Sequence, residues 1–290
     1  MTITSPQNPH LKDLRRLARR RERERAGRFA AEGEDLILAA QSAGWPALEG
    51  YRVPACEVGG THFTEVTPEA LAAVSTLGSG TRAIGVYEQR WLDAPIGPLC
   101  VYLHGVRDPG NVGTVLRSAL AFGASCVALG PGCADPYSPK AVRASMGAIF
   151  AVALARVHAP DAAGRDTEGT PGTAGGTPGT AEETRGTAGE MPGTVGAPDA
   201  TLLPGERIAL VAGAGEPLAE LCSRLDDVND GSRALTLLVG SERFGLPEDL
   251  VNACEHVAHI PIAGESLNAA MAATVALYET TTRRSTRVRT

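Results

Sequence analysis

No apolar stretch in this sequence reaches the ~20 residues that a membrane-spanning helix needs. Runs such as Leu235 to Val239 and Ala269 to Leu277 stop well short of it. The first residues, MTITSPQNPHLKDLRR, carry basic side chains with no apolar stretch behind them. That is not the pattern of a secretory signal, so a cytoplasmic protein is expected. The cysteines contain no C-x-x-C pair, and several fall in apolar strand-like runs such as SCVAL and LCVYL. Buried reduced thiols are therefore expected in place of disulfides or a zinc site. The histidines include no H-E-x-x-H and no cluster beside a cysteine pair, which leaves metal catalysis without ligands. A P-loop is also absent.

What is present is the composition of a soluble globular protein: 290 residues, 43% apolar and 21% charged. That length suits two domains. The formal net charge of −6 taken alone argues against a nucleic-acid partner. Its distribution argues otherwise. Between Lys12 and Arg28 lie Arg15, Arg16, Arg19, Arg20, Arg21, Arg23 and Arg25, opposed only by Asp13, Glu22 and Glu24. Arg283, Arg284, Arg287 and Arg289 form a second basic group. Such patches attract phosphate through counterion release whatever the total charge. The alternative is a solvated helix face with Arg/Glu pairs at three- and four-residue spacing.

Residues 1–92 read as an α/β module. A basic helix ends near Gly27, and Glu34 to Ala43 forms a helix stopped by Gly44. Thr67 caps a helix with Pro68 at its first position, and TRAIGVYE is a strand. Residues 98–290 alternate strands and helices. LCVYLHG precedes a helix from Asn111 to Phe122. SCVALG precedes a helix capped by Ser138, with Pro139 in its first turn. FAVALARV, RIALVAG, ALTLLVG and HVAHIPI are the remaining strands, with helices from Pro217, Pro247 and Ser266. Apolar strands alternating with helices predict a parallel sheet covered on both faces, with ligands at the carboxyl ends of its strands. Within this domain, residues 161–200 repeat Gly and Thr and hold almost no large apolar side chain. A disordered insertion is expected there.

Three loops carry the chemistry. In DPGNVGTVLR, Asn111 and Arg117 flank a helix N-terminus, and Gly110 and Gly113 allow a close backbone approach, suited to an anionic group. In LVGSERFGLP, Gly240 and Gly245 bracket Glu242 and Arg243. In IPIAGESLNAA, Ser266 is a natural N-cap for the last helix. A fourth segment, VAGAGEPL, offers Gly213 and Gly215 after a strand. Leu218 stands where a dinucleotide fingerprint has its third glycine, which weighs against an oxidoreductase.

In this order the three loops closely resemble the signature motifs of the SpoU/TrmH methyltransferases of the SPOUT superfamily: N-x-G-x-x-x-R, G-x-E-x-x-G, and I-P-x followed by S-L-N. Here they stand as NVGTVLR, GSERFG and IPIAGESLN. The resemblance implies an α/β domain threaded through a trefoil knot, an exception to the rule that folds are unknotted. It further implies S-adenosylmethionine as cofactor, with Gly240, Ile260 and Leu267 as its contacts. Arg117 would be catalytic, while Asn111, Glu242, Ser266 and Asn268 would shape the pocket and hold it. The implied reaction is methylation of a ribose 2′-hydroxyl by a homodimer joined through the knot region.

Methyl transfer from a sulfonium needs a weak oxygen nucleophile aligned and its proton removed, but neither metal nor covalent intermediate. An arginine stays protonated, so Arg117 is expected to stabilise the developing alkoxide and position phosphate. The N-terminal module resembles the family's substrate-binding domain, with RFAAEGEDLILAA as its F-x-x-E-G segment; Thr81-Arg82-Ala83 replaces a P-Q-G found in many relatives. A separate module of this kind points to large-subunit rRNA, with tRNA as the alternative, and some relatives of this architecture confer antibiotic resistance. A non-catalytic RNA-binding protein on the same scaffold would have lost Arg117, Glu242 or Asn268. All three are present.

Overall fold

The computed structural model describes residues 2–60, 63–77, 80–157, 200–229 and 234–287. The expected insertion, apart from Ala200, and the side chains of the second basic group lie outside the described residues.

The N-terminal module starts with α1 (Pro9–Arg16) and α2 (Arg20–Ala26), followed by β1 (Arg28–Glu32), α3 (Glu34–Ser42), β2 (Glu49–Arg52), β3 (Phe63–Glu65), α4 (Pro68–Ala72) and β4 (Ala83–Glu88). Its sheet has the order β1-β4-β2-β3, antiparallel except for the β2–β3 pair. Thr67 caps α4 as its sequence predicts, accepting from the Ala70 N–H at 3.4 Å with Pro68 just inside. The expected single basic helix is instead two. The chain tightens over Leu17–Arg19, where each N–H bonds three residues back, and the Arg23 guanidinium donates to the freed carbonyls of Leu17 (2.8 Å) and Ala18 (2.9 Å). Gly27 then ends α2 at φ +62°, a conformation that favours glycine.

That contact corrects the expectation for Arg23. It is 2% exposed, and its guanidinium also meets the Asp135 carboxylate of the second domain at 2.6 Å. It is a buried tie between domains, not an RNA-facing cation. Three more pairs thin the cluster on the surface: Arg16 with Asp13, Arg20 with Glu24 and Arg25 with Glu22, each at 2.8 Å. Lys12, Arg15, Arg19 and Arg21 remain exposed without a partner among the described residues.

In the second domain come β5 (Leu99–Leu103), α5 (Pro109–Ala121), β6 (Cys126–Leu129), α6 (Pro139–Ala144), β7 (Ala153–Arg156), β8 (Glu206–Leu210), β9 (Glu216–Pro217), α7 (Leu218–Asn229), β10 (Leu235–Val239), α8 (Glu248–Asn252), β11 (His256–His259) and α9 (Ala269–Arg287). The described strands form a parallel sheet in the order β7-β6-β5-β10-β8-β11-β9. Strands β5 and β10 are buried throughout, as near-continuous apolar runs require. Period-two alternation divides β5 between two cores: Leu99, Val101 and Leu103 pack with α5, α7 and α9, while Cys100 and Tyr102 face Leu203 and Leu250. Four helix starts differ from expectation: α5 begins at Pro109, two residues before Asn111, and α8 at Glu248, one after Pro247. Pro217 lies in the short β9, so α7 begins one residue later, and α9 begins at Ala269, not at Ser266.

The two domains share one core. Phe29, Trp45 and Tyr87 of the first pack against Tyr137 and Phe150 of the second, with ring centroids 4.6 Å apart for Phe29–Tyr137 and 4.9 Å for Tyr87–Phe150. Arg143 and Asp35 add an ion pair at 2.9 Å on the surface above. The N-terminal module is therefore fixed against the second domain through a dry aromatic contact.

Candidate active site

Register brings the three loops together. Leu103 of β5 and Leu210 of β8 both pair with Val239 of β10, and Ala258 of β11 pairs with Leu210. Four strands thus end nearly level, and the segments that leave them at His104, Gly240, Val211 and Ile260 share the carboxyl end of the sheet. Beneath them lies a cavity of about 650 Å³, in the size range of small-molecule sites.

Each sequence motif contributes differently. Gly240 is a packing glycine: a Cβ there would collide with the backbone of Gly245 and Leu246, where the loop folds back on itself. The loop is closed by reciprocal backbone bonds between Ser241 and Gly245, 3.2 and 2.9 Å long. Gly240, Glu242, Ile260, Ser266 and Leu267 all line the cavity. Asn111 and Asn268 stand at its rim and connect the loops. Asn268 donates from Nδ2 to Asn111 Oδ1 at 3.1 Å, and Asn111 donates from its own Nδ2 to Glu242 Oε1. One polar chain therefore spans all three motifs.

Two expectations about helix ends are corrected. The cap of α9 is Asn268, whose Oδ1 accepts from the N–H groups of Ala270 (2.9 Å) and Met271 (3.4 Å); Ser266 is exposed, two residues upstream. At α5 the N-terminus already holds an anion of this chain. Asp108 Oδ1 accepts from the Gly110 N–H at 2.7 Å and meets Lys140 Nζ at 2.8 Å. The Lys140 ammonium holds the Asp108 carboxyl below its usual range. Gly113, read as room for a ligand, instead admits α6: a Cβ there would strike the Ala141 carbonyl oxygen.

Arg117 does not join this network within one chain. Along α5, Val112, Val115, Leu116 and Ala119 point into the core, while Thr114, Arg117 and Leu120 are exposed. Arg117 has no hydrogen-bond or ion-pair partner among the described residues and does not line the cavity.

Sequence reasoning missed the fourth wall and one side chain. The VAGAG segment, weighed as a dinucleotide fingerprint, supplies Val211, Ala212 and Gly213 to the same cavity; its glycines were the available signal. His259 also lines the cavity, and its Nδ1 is buried with no hydrogen-bond partner. With essentially no accessible surface, that atom does not open onto the cavity, and left unpaired it costs about 1–3 kcal/mol. The apolar walls from Leu210, Val239, Ile260 and Leu267 fit a flat nucleoside. Among the described residues no group of His, Cys, Asp or Glu converges to hold a metal.

Comparison with known proteins agrees with this geometry. The profile of the SpoU rRNA methylase family matches residues 98–278, and that of the MRM3-like substrate binding domain matches residues 8–84. The chain belongs to the SpoU rRNA methylase family. It is 31% identical to a 23S rRNA uridine 2′-O-methyltransferase of Streptomyces viridochromogenes, over 91% of this chain and 85% of the relative. It is 28% identical to an uncharacterised tRNA/rRNA methyltransferase of Synechocystis, over 96% and 92%. The AdoMet-bound rRNA methyltransferase from Sinorhizobium meliloti is similar at a TM-score of 0.72 and 27% identity, covering 98% of each chain. The fold expected from the motifs, the SPOUT α/β domain, is the one found.

Proposed function

We propose that this SpoU-family protein methylates a ribose 2′-hydroxyl of large-subunit rRNA, using S-adenosylmethionine held in the cavity beneath the three motif loops. The observation that carries the proposal is the chain from Glu242 through Asn111 to Asn268, which fixes three distant loops around one pocket mouth. Gly240, Ile260 and Leu267 would hold the cofactor through backbone and apolar contact. Bound there, the cofactor supplies a methyl group already activated by its sulfonium.

The chain's own residues then align the acceptor. Asn111 holds the Glu242 carboxylate at the mouth, and Asn268 holds Asn111. Such prealignment lowers the barrier of a displacement whose electrophile arrives ready-made.

Arg117 completes the site in a homodimer. On the same side of the domain as Arg117, Leu120 of α5 and Met271 and Tyr278 of α9 are 47%, 61% and 51% exposed. The two helices are joined by the Ser118–Thr274 hydroxyl bond (2.6 Å) and the Phe122–Tyr278 ring contact. An apolar face of this kind is covered when two copies meet across it, and that contact carries Arg117 toward the partner's cavity. RNA then reaches the site over the first domain, where Arg15, Arg19 and Arg21 offer free cations. We place the protein in the cytoplasm, in keeping with its free thiols.

Two measurements test this reading. Calorimetry should detect S-adenosylmethionine and no nicotinamide dinucleotide. Mapping of 2′-O-methyl groups in rRNA from a strain lacking the gene should reveal one missing site; an unchanged rRNA map with a site missing from tRNA would shift the substrate to tRNA.

A further inference from the structure

The loop after β10 has two sides. Ser241, Glu242 and Gly245 line the cavity, whereas Arg243 and Phe244 stand outside it and are exposed. Phe244 is 70% exposed, more than any other large apolar side chain among the described residues. Single exposed apolar residues are common, so exposure alone assigns nothing.

Three further observations do. The backbone that carries the ring is held in place: the Phe244 N–H donates to Ser241 Oγ at 3.2 Å, inside the turn closed by the Ser241–Gly245 bonds. The Arg243 guanidinium lies over the ring, 5.2 Å from its centroid, which leaves the opposite face open. And Phe244 is two residues from Glu242, whose carboxylate is tied to Asn111 at the cavity mouth. The other aromatic side chains with ring partners pack against one another, several of them between the domains.

We propose that Phe244, backed by Arg243, is a stacking platform for an unpaired RNA base at the nucleotide being methylated. The proposal rests on the rRNA methyltransferase reading above. A ribose can meet the cavity mouth only when its nucleotide is pulled clear of regular stacking. Proteins hold such splayed bases on aromatic faces and arginine planes. A π-face is offered at the one place where an acceptor ribose must come to rest, with a cation beside it to meet the flanking phosphate. The loop thus serves two partners, the cofactor on its inner side and the RNA base on its outer side.

The test is steady-state methylation of large-subunit rRNA transcribed in vitro. Phe244→Ala should raise KM for the RNA on the order of tenfold, the loss expected for one base–aromatic stack. Its affinity for S-adenosylhomocysteine by calorimetry should stay unchanged, because Phe244 does not line the cavity. Phe244→Trp should restore KM, and its indole fluorescence should change on adding RNA. Phe244→Leu, which keeps apolar surface without a π-face, should not. The inference is overturned if the Ala variant keeps the wild-type KM, if Leu restores as well as Trp, or if light scattering shows that the Ala variant has lost a dimer, which would assign the ring to a contact between copies. Each of those results leaves the methyltransferase reading intact. A wild-type protein that methylates no rRNA overturns that reading and this inference together.

Discussion

Asn268 donates to Asn111 at 3.1 Å although 157 residues separate them in the chain. The bond joins the cap of α9 to the first turn of α5, and Asn111 passes the connection on to Glu242. A helix cap is thereby made part of the pocket mouth: the same side chain that starts α9 also sets where the carboxylate stands.

Loss of either asparagine should therefore lower turnover, and their effects should not add. Asn268→Ala removes a cap as well as a tether, and should destabilise the fold by about 1 kcal/mol in urea titration. Asn111→Ala carries no cap and should leave stability nearer wild type. In turnover the double variant should be little worse than the poorer single one, as members of one network behave. Independent, additive losses in kcat would show that the chain of bonds does not act as a unit.

His259 bears on stability and not on affinity. His259→Leu removes the orphaned Nδ1 and should raise the thermal midpoint of the ligand-free protein, since an unpaired buried atom costs about 1–3 kcal/mol. The same variant should bind S-adenosylhomocysteine as tightly as wild type by calorimetry, because Nδ1 does not open onto the cavity. Weaker binding would mean that the imidazole turns to meet the cofactor.

The sequence made the alternation of strands and helices readable because β5, β6 and β10 are apolar at nearly every residue and α5 and α6 begin at Pro after Asp or Ser. The cavity residues Gly240, Glu242, Ile260 and Leu267 were readable through the likeness of their loops to the family motifs, and Gly240 and Ile260 each stand just beyond a strand end. What was hidden depends on partners far away in sequence. Arg23 looked like its neighbours in an Arg-rich run, and only Asp135 of the other domain makes it a core residue. Ser266 was as good a cap as Asn268 on local chemistry, but it is Asn268 that bonds to Asn111. Gly113 signalled close approach correctly, but the approaching group is α6 and not a ligand.

The arginines of the first two helices should separate cleanly. Arg23→Ala strands the Asp135 carboxylate in the domain interface and should cost about 3–5 kcal/mol, the usual result of breaking a buried pair. Arg19→Ala with Arg21→Ala should leave stability within about 0.5 kcal/mol. The double variant should instead flatten the salt dependence of RNA binding, by roughly 0.7–0.9 in log-log slope for each phosphate that is no longer neutralised. An unchanged slope would make these two residues solvated charges only.

A pH effect follows from the far end of the sheet. Arg207 of β8 donates from its N–H (2.8 Å) and Nε (3.0 Å) to Glu255 just before β11, and this bonding lowers the Glu255 carboxyl from 4.5 to about 2. The folded value lies below the unfolded one, so the stabilisation is complete above about pH 4.5 and is lost as pH falls toward 2. Because the carboxylate is partly solvated, Glu255→Gln should cost no more than about 1 kcal/mol at pH 7. In urea titrations the difference between variant and wild type should shrink through that acid window; a constant difference would point to packing instead.

Arg117 allows the strictest test of the assembled site. Within one chain it lies on the outer face of α5, apart from the bonds that join Asn111, Glu242 and Asn268. If a second copy brings Arg117 to the cavity, an intact site needs Arg117 from one subunit and Glu242 from the other. Arg117→Ala and Glu242→Ala should each abolish methyl transfer, with the Arg117 variant still binding S-adenosylmethionine normally, because the role proposed for Arg117 is at the acceptor oxygen and its phosphate. Co-expressed under two affinity tags and purified through both, the variants form mixed dimers. In such a dimer one site carries both lesions and the other carries neither, so activity should return to about half that of the wild-type dimer. Were Arg117 to act on the cavity of its own chain, both sites of the mixed dimer would carry a lesion and no activity would return. Mixed dimers that stay inactive therefore reject the shared site, and normal turnover by the Arg117 variant alone rejects its catalytic role.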